Sequence, residues 1–142
     1  MLPSADSYED LNRRFAWNVP ARYNIGVDVC DRHAAERPDA PALIFEDEDG
    51  RVATWNFAHL KAQSDRFANA LAAHGVVPGD RVAVLLQQSR EAAVAHIGAY
   101  KAGMIAVPLF VLFGEDALEY RLGDCGAACI VTDTGQLPKI LA

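Results

Sequence analysis

Residues 81–87 read RVAVLLQ, an apolar run bounded by one basic and one polar residue. The turn sequence Pro78-Gly79-Asp80 leads into it, and Ser89 follows as a candidate helix cap. A short, continuous apolar run between such signals is typical of a strand that is buried on both faces. The stretch therefore predicts a strand of a parallel sheet.

On either side of this strand, predicted helices alternate with further apolar strands. Asn56 begins a helix whose apolar residues recur every three or four positions until Gly75, and Gly103 and Gly126 end two further helices. Two more apolar runs, at residues 105–110 and 129–133, have strand character. Crossover helices between buried strands predict an α/β fold, a partial doubly wound parallel sheet covered by helices.

The first third of the chain has a different pattern. Residues 1–24 predict an extended arm with a short helix near residues 8–14, and residues 26–37 predict a helix that Pro38 ends. In that helix, Val29, His33 and Ala34 share one face. Apolar runs around Asp49-Gly50 predict a β-hairpin. We divide the chain into residues 1–37, the arm and first helix, and residues 38–142, a partial α/β subdomain of a larger domain.

Composition excludes several classes of protein. The net charge is −6 and the pI is about 5.1, which does not favour nucleic acid as a partner. Charged residues interrupt every apolar stretch before it reaches the length of a membrane span, and the N-terminus lacks a signal-peptide pattern. The three cysteines are too few for a disulfide framework. These features predict a soluble cytoplasmic protein.

No reaction can be assigned from short motifs. Gly98 and Gly103 have the outer spacing of a phosphate loop, but they lack the following Lys and Ser/Thr and sit at the end of a helix. Cys125 and Cys129 lack partners for a closed metal site, so we interpret them as small core residues. The four histidines are scattered singly; His96 fits a core histidine.

Four segments carry a more specific pattern: PDAPAL at 38–43, NFAHL at 56–60, GVVPGDRVA at 75–83, and KAG at 101–103 followed by VPL at 107–109. Together they resemble the start of the adenylate-forming family of acid:CoA ligases, luciferases and peptide-synthetase adenylation domains. The segment FAWNVP at 15–20 is similar to the medium-chain acyl-CoA synthetase branch, with acetyl-CoA synthetases nearby. The resemblance implies an AMP-forming ligase of fatty acid metabolism.

In that reaction a carboxylic acid attacks the α-phosphate of ATP, and CoA then displaces AMP from the acyl-adenylate. The family resemblance implies ATP, CoA and Mg²⁺ for the full-length parent. The phosphate loop, the aromatic nucleotide motif, the ribose-binding Asp and the catalytic Lys of the family have no counterpart in these residues. The resemblance therefore supplies no catalytic residue here, and the 142-residue chain alone is expected to be inactive.

One weaker correspondence concerns the CoA side of the family. Phe110 matches a loop beside the nucleotide end of CoA, and Lys139 falls near the place of a phosphate-pairing Arg. Val111 and Leu112 replace the paired glycines of that loop, which removes a close backbone approach. Phe110 and Lys139 are the candidate CoA contacts; a core phenylalanine and a solvated lysine are the alternatives.

Two other classes of function stay open at this point. The chain is either a segment of a ligase or a stand-alone truncated product that acts as a binding or oligomerising module without catalysis. An unrelated flavodoxin-like binding module is a further alternative. An incomplete parallel sheet exposes its edges, so we expect a homo-oligomer, with the N-terminal arm as a possible subunit contact.

Overall fold

The structure is a computed structural model that describes residues 2–142. Its helices are α1 (Tyr8–Arg14), α2 (Arg32–Glu36), α3 (Phe57–Ala73), α4 (Arg90–Lys101), α5 (Glu115–Cys125) and α6 (Pro138–Leu141). Its strands are β1 (Pro41–Glu46), β2 (Val52–Asn56), β3 (Arg81–Leu85), β4 (Ile105–Pro108) and β5 (Cys129–Thr132). The predicted order of elements is confirmed.

The sheet has β3 at its centre, as the apolar run of that strand requires. β4 and β5 pair in parallel with β3 on opposite sides, in the order β4-β3-β5. The chain thus moves outward through α4 to β4 and crosses back through α5 to β5. Val82, Ala83 and Leu85 are fully buried. This confirms the partial doubly wound sheet, and the antiparallel pairing of β1 with β2 confirms the hairpin.

Two apolar clusters cover the two faces of the sheet. One packs α3 and α4 against β3 and contains Leu71, Val76, Val82, Ala99 and Met104. The other packs α5 and α6 and contains Ala83, Leu85, Leu109 and Leu118. Successive β3 side chains point to opposite faces, so this single strand contributes to both clusters. Burial on both faces explains why the strand is apolar without alternation.

The predicted helix boundaries are confirmed by their hydrogen bonds. Asn56 Oδ1 accepts from the His59 backbone N–H at 2.8 Å, and Ser89 Oγ accepts from Ala92 N–H at 3.1 Å. Gly126 follows α5 in the left-handed region at φ 57°. Each cap is a contact over three or four residues, so it can be recognised from sequence alone.

The segment before Pro38 differs from the prediction. Residues Val27–Asp31 form a π-helical turn that continues into α2. The wider turn shifts the inward face by one position, so Cys30 is fully buried while Val29 is exposed. His33 and Ala34 remain half-buried. Val29, predicted to share one helical face with His33 and Ala34, is more exposed than either of them.

The hairpin loop is wider than a two-residue turn. Asp47 N–H donates to the carbonyl of Arg51, and Gly50 N–H donates back to Asp47 O. Asp47 Oδ1 also accepts from the backbone N–H groups of Asp49 and Arg51. The aspartate side chain thus organises the loop from within, with Gly50 at φ 77°.

Candidate functional site

The loop that follows β4 presents an aromatic surface at the carboxyl end of the sheet. Leu109 is buried and anchors the loop, whereas Phe110 is 57% exposed. The loop turns back at once, because Phe113 N–H donates to the Phe110 carbonyl at 3.0 Å. The two rings meet edge to face with centroids 6.0 Å apart. Phe110 is therefore not the core phenylalanine of the alternative interpretation.

Lys139 lies against the same loop. Its Nζ donates to the carbonyl of Val111 at 2.8 Å, across 28 residues of sequence. The structure thus brings the two candidate residues, Phe110 and Lys139, to one loop. The lysine is half-buried and bonded to backbone, so it is not the freely solvated side chain of the alternative interpretation.

The charge around Lys139 is mostly negative. A cavity of about 420 Å³ adjoins its side chain and is lined by Glu115, Asp116, Leu118, Glu119, Leu122, Lys139, Ile140 and Ala142. The carboxylates of this lining repel an anion more than one lysine attracts it. The cavity is consequently an unfavourable place for an anion.

An arginine of α5 also contacts the loop after β4. The Arg121 guanidinium lies 4.5 Å from the centroid of the Phe113 ring, and the side chain is exposed. Stacking on an aromatic face holds a guanidinium in place while leaving its N–H edge available. Sequence reasoning gave Arg121 no role. No local spacing rule links it to Phe113, which precedes α5, so its place in the site was missed.

A second polar cluster lies between the N-terminal segment and the helices. Lys101 Nζ, on a side chain 7% exposed, forms an ion pair with Asp31 and contacts Asp65 Oδ1 and Ser64 Oγ, each at 2.8 Å. Asn24 donates to the carbonyls of Tyr100 and Lys101 at the end of α4. This Lys101 cluster ties the segment before Pro38 to α3 and α4.

The protonation states in the Lys101 cluster favour its ion pairs. Burial raises the pKa of the Asp65 carboxyl, but hydrogen bonds from Lys101 and Lys61 outweigh it and leave the pKa below its ordinary value. Burial also raises the pKa of the Cys30 thiol. The thiol is therefore protonated and inert as a nucleophile. The cluster is suited to fixing structure, not to covalent chemistry.

The hairpin is attached to the sheet layer by aromatic stacking. The Arg90 guanidinium, at the start of α4, lies 5.5 Å from the Phe45 ring centroid and 5.3 Å from that of Trp55. His59 stacks on Trp55 with ring centroids 4.4 Å apart. His59 is exposed, and its ring packs on the hairpin.

His96 lies half-buried on α4, with its ring 6.0 Å from that of Tyr100. Its Nδ1 has no hydrogen-bond partner among the protein atoms of residues 2–142. Burial lowers the pKa of His96 below the ordinary value of 6.5.

The unfolded chain protonates His96 more readily than the folded chain does. The contribution of neutral His96 to the free energy of unfolding is therefore fully present above about pH 6.5, and it decreases as the pH falls toward the lowered pKa of the folded state. His96→Gln is expected to flatten that decrease, measured by urea unfolding across the window. His74→Gln, on an exposed histidine, is the control and should retain the wild-type slope. Equal slopes for wild type and His96→Gln would contradict the assignment.

Other sequence candidates have structural roles. A Cβ on Gly98 would lie 2.7 Å from the Phe67 ring and 2.8 Å from the Ser64 carbonyl, so this glycine permits close helix packing. Gly103, at φ 72°, ends α4. In the described residues 2–142, no group of three or more His, Cys, Asp or Glu side chains is placed to hold a metal. None of the helices they form has the length and apolar character that crossing a bilayer requires.

The hairpin, the sheet in the order β4-β3-β5 and the helices on both faces define an incomplete large domain of an adenylate-forming enzyme. The family model described as AMP-binding enzyme matches residues 30–142. The chain belongs to this family. The resemblance found in the four sequence segments is thereby confirmed, and an unrelated flavodoxin-like module is set aside.

Individual relatives agree with this assignment. The chain is 39% identical over 118 residues to an acetyl-coenzyme A synthetase of Thiobacillus denitrificans, and 33% identical over 120 residues to that of Syntrophobacter fumaroxidans. These matches cover 83% and 84% of the chain but 18% of each relative. The chain thus spans about a fifth of the length of these curated relatives.

Solved structures extend the comparison to the fold. An acyl-CoA synthetase of Brucella canis superposes with a TM-score of 0.88 at 32% identity, covering 96% of this chain and 27% of that one. An anthranilate CoA ligase in complex with anthranoyl-AMP superposes with a TM-score of 0.75 at 30% identity, covering 87% of this chain and 23% of that one. The α/β layer described above is a part of such enzymes.

Proposed function

We propose that the chain is a portion of an AMP-forming acid:CoA ligase, which converts a carboxylic acid, ATP and CoA to acyl-CoA, AMP and pyrophosphate. The observation that carries this proposal is the family match over residues 30–142 together with relatives named acetyl-coenzyme A synthetase. The enzyme acts in the cytoplasm on acids of fatty acid metabolism. The chain alone does not catalyse either half-reaction.

Within such an enzyme, this segment is a scaffold and one wall of the CoA side. The division proposed from sequence assigns residues 1–37 to an arm and first helix, and residues 38–142 to the α/β subdomain. The Lys101 cluster, which joins Asp31 to α3 and α4, gives the first helix a rigid attachment to that subdomain.

The loop after β4 is the proposed contact for the nucleotide end of CoA. Phe110 offers an exposed ring on which adenine can stack, and Arg121, held on Phe113, offers a cation for a phosphate. Lys139 supports the loop by its hydrogen bond to the Val111 carbonyl, and it adds a positive charge next to the loop. ATP and Mg²⁺ belong to parts of the ligase outside these residues; among residues 2–142, no three His, Cys, Asp or Glu side chains are grouped to hold a metal.

The CoA contact is testable on the 142-residue chain by NMR titration. CoA should shift the backbone amide signals of residues 109–114, and pantetheine, which lacks the nucleotide, should not. Phe110→Ala should weaken CoA binding by at least about fivefold, since base stacking on an aromatic ring contributes about 1–3 kcal/mol. Tyr8→Ala removes an exposed aromatic ring from α1, away from the loop, and should leave binding unchanged. Equal shifts with CoA and pantetheine would refute the contact.

The ligase assignment is tested separately on the protein from its source cells. An antibody against this segment is used to isolate the native protein, whose mass is compared with the 15.4 kDa of the chain. A larger protein with acid-dependent ATP–pyrophosphate exchange supports the proposal. A native 15.4 kDa product without exchange would instead favour a binding or oligomerising module.

A further inference from the structure

The turn that follows β4 divides its side chains between the core and the surface. Phe113 N–H donates to the Phe110 carbonyl at 3.0 Å, which makes residues 110–113 a single tight turn. Val111 and Phe113 pack against the apolar cluster on the α5 face of the sheet. Phe110 and Leu112, which alternate with them, are 57% and 77% exposed. Two side chains of the turn are therefore presented at the surface, and the other two anchor it.

Lys139 of α6 attaches the same turn through its backbone. The Lys139 Nζ donates to the Val111 carbonyl at 2.8 Å, so Val111 is held by its side chain and by its carbonyl together. A hydrogen bond with a charged donor is roughly twice as strong as one between neutral groups. Ile140, the next residue of α6, packs against the same cluster as Val111 and steadies the helix that carries the lysine. Val111 is thus the point at which the turn is joined to the rest of the fold.

The residue after the turn adds no constraint of its own. Gly114 precedes α5 and supplies no side-chain cap for that helix, and a Cβ placed on it would meet no atom within 4 Å. Glycine has the widest choice of backbone conformations, so an unpacked glycine here leaves the end of the turn free to move. The order of the turn consequently depends on the attachment of Val111.

We propose that Lys139 and Val111 are positioning residues, which fix the turn of residues 110–113 in one conformation before any ligand arrives. Val111 stands where the resembling family has one of its paired glycines, and a glycine there would leave the backbone freer. Fixing a binding loop in advance removes the entropy cost of ordering it on binding. The inference rests on the proposed function for the identity of the ligand, CoA, which would meet Phe110 already in place. Lys139 acts through the turn, because its Nζ is bonded to the Val111 carbonyl.

Backbone order parameters from NMR relaxation test the proposal on the chain without ligand. In the wild type, the order parameters of residues 111–113 should be about 0.85, the value of rigid backbone. Lys139→Met keeps the apolar length of the side chain but removes the donor, and it should lower them to below about 0.6. Lys139→Arg supplies another charged donor and should keep the wild-type values. Unchanged order parameters in Lys139→Met would overturn the proposal and leave the lysine as a charge beside the turn only.

Two alanine variants of neighbouring residues supply a matched comparison. Val111→Ala removes methyl groups that pack against the cluster and should lower the order parameters of the turn. Leu112→Ala removes an exposed side chain from the same turn and should leave them unchanged. Circular dichroism confirms that each variant is folded. An equal effect of both substitutions, or none from either, would contradict the attachment through Val111.

A CoA titration separates this inference from the proposed function. Val111→Ala changes no charge, and it should weaken CoA binding by at least about threefold, because the loosened turn must be ordered on binding. Undiminished affinity in a variant whose turn is mobile would contradict the positioning role. A wild-type chain that does not bind CoA would refute the proposed CoA contact, whereas the order parameters without ligand decide independently whether the turn is fixed.

Discussion

Lys101→Met is expected to lower the free energy of unfolding by about 3 kcal/mol, because breaking a buried ion pair leaves its partner charges uncompensated. Lys101 is 7% exposed and faces both Asp31 and Asp65. Methionine keeps the apolar length of the side chain but supplies no charge. The Asp31 and Asp65 carboxylates would then have to recover hydration, which separates the N-terminal segment from α3. Urea unfolding followed by circular dichroism measures the loss.

Lys61→Met is the matched control for this experiment. Lys61 also pairs with Asp65, but its side chain is 42% exposed and Asp65 keeps Lys101 as a partner. Exposed ion pairs contribute about 0–1 kcal/mol, so this variant should be nearly as stable as the wild type. If both substitutions cost the same, the Lys101 cluster is not the attachment that the structure indicates.

Gly98→Ala is expected to lower the free energy of unfolding by about 2–3 kcal/mol, because inserting a methyl group into a well-packed core forces its neighbours apart. The added Cβ would lie 2.8 Å from the Ser64 carbonyl, a backbone atom that cannot move without displacing α3. The substitution therefore forces α3 and α4 apart and opens the cluster around Leu71 and Ala99. Thermal melting detects the change as a lower midpoint.

The control for Gly98 is Gly123 on α5. A Cβ at Gly123 meets no atom within 4 Å, and alanine is the better helix former. Gly123→Ala should stabilise the chain by about 0.5–1 kcal/mol. The two substitutions are chemically identical, so opposite signs isolate the effect of the helix contact. Stabilisation by both would show that α3 and α4 are not in the close contact described.

Most of the secondary structure could be predicted because it rests on local contacts. At Asn56 and Ser89, the cap is a hydrogen bond that the side chain accepts from the backbone N–H three residues later. The glycines after the helices adopt a positive φ that other residues avoid. Boundaries were less exact. β4 was predicted to reach Phe110 but ends at Pro108, since the chain turns there to form the Phe110–Phe113 loop.

The candidate site was predictable only in part. Phe110 and Lys139 were named from the family resemblance. The structure places Phe110 in the loop after β4 and Lys139 of α6 against that loop, but their contact with CoA stays a prediction. The cation–π contact between Arg121 and Phe113 could not be foreseen, because it depends on how α5 leaves the loop. The carboxylates beside Lys139 likewise become neighbours only through the packing of α6 on α5.

The sequence by itself therefore determined the order of helices and strands, their caps, the two-faced burial of β3 and the family. Each of these features depends on which residue types lie a few positions apart in the sequence, where helix and strand propensity and hydrophobic periodicity can be read directly. The tertiary structure alone decided the strand order β4-β3-β5, the π-helical turn and the Lys101 cluster. Lys101 meets Asp31 seventy residues away, and such a contact forms only when close packing brings separate elements together.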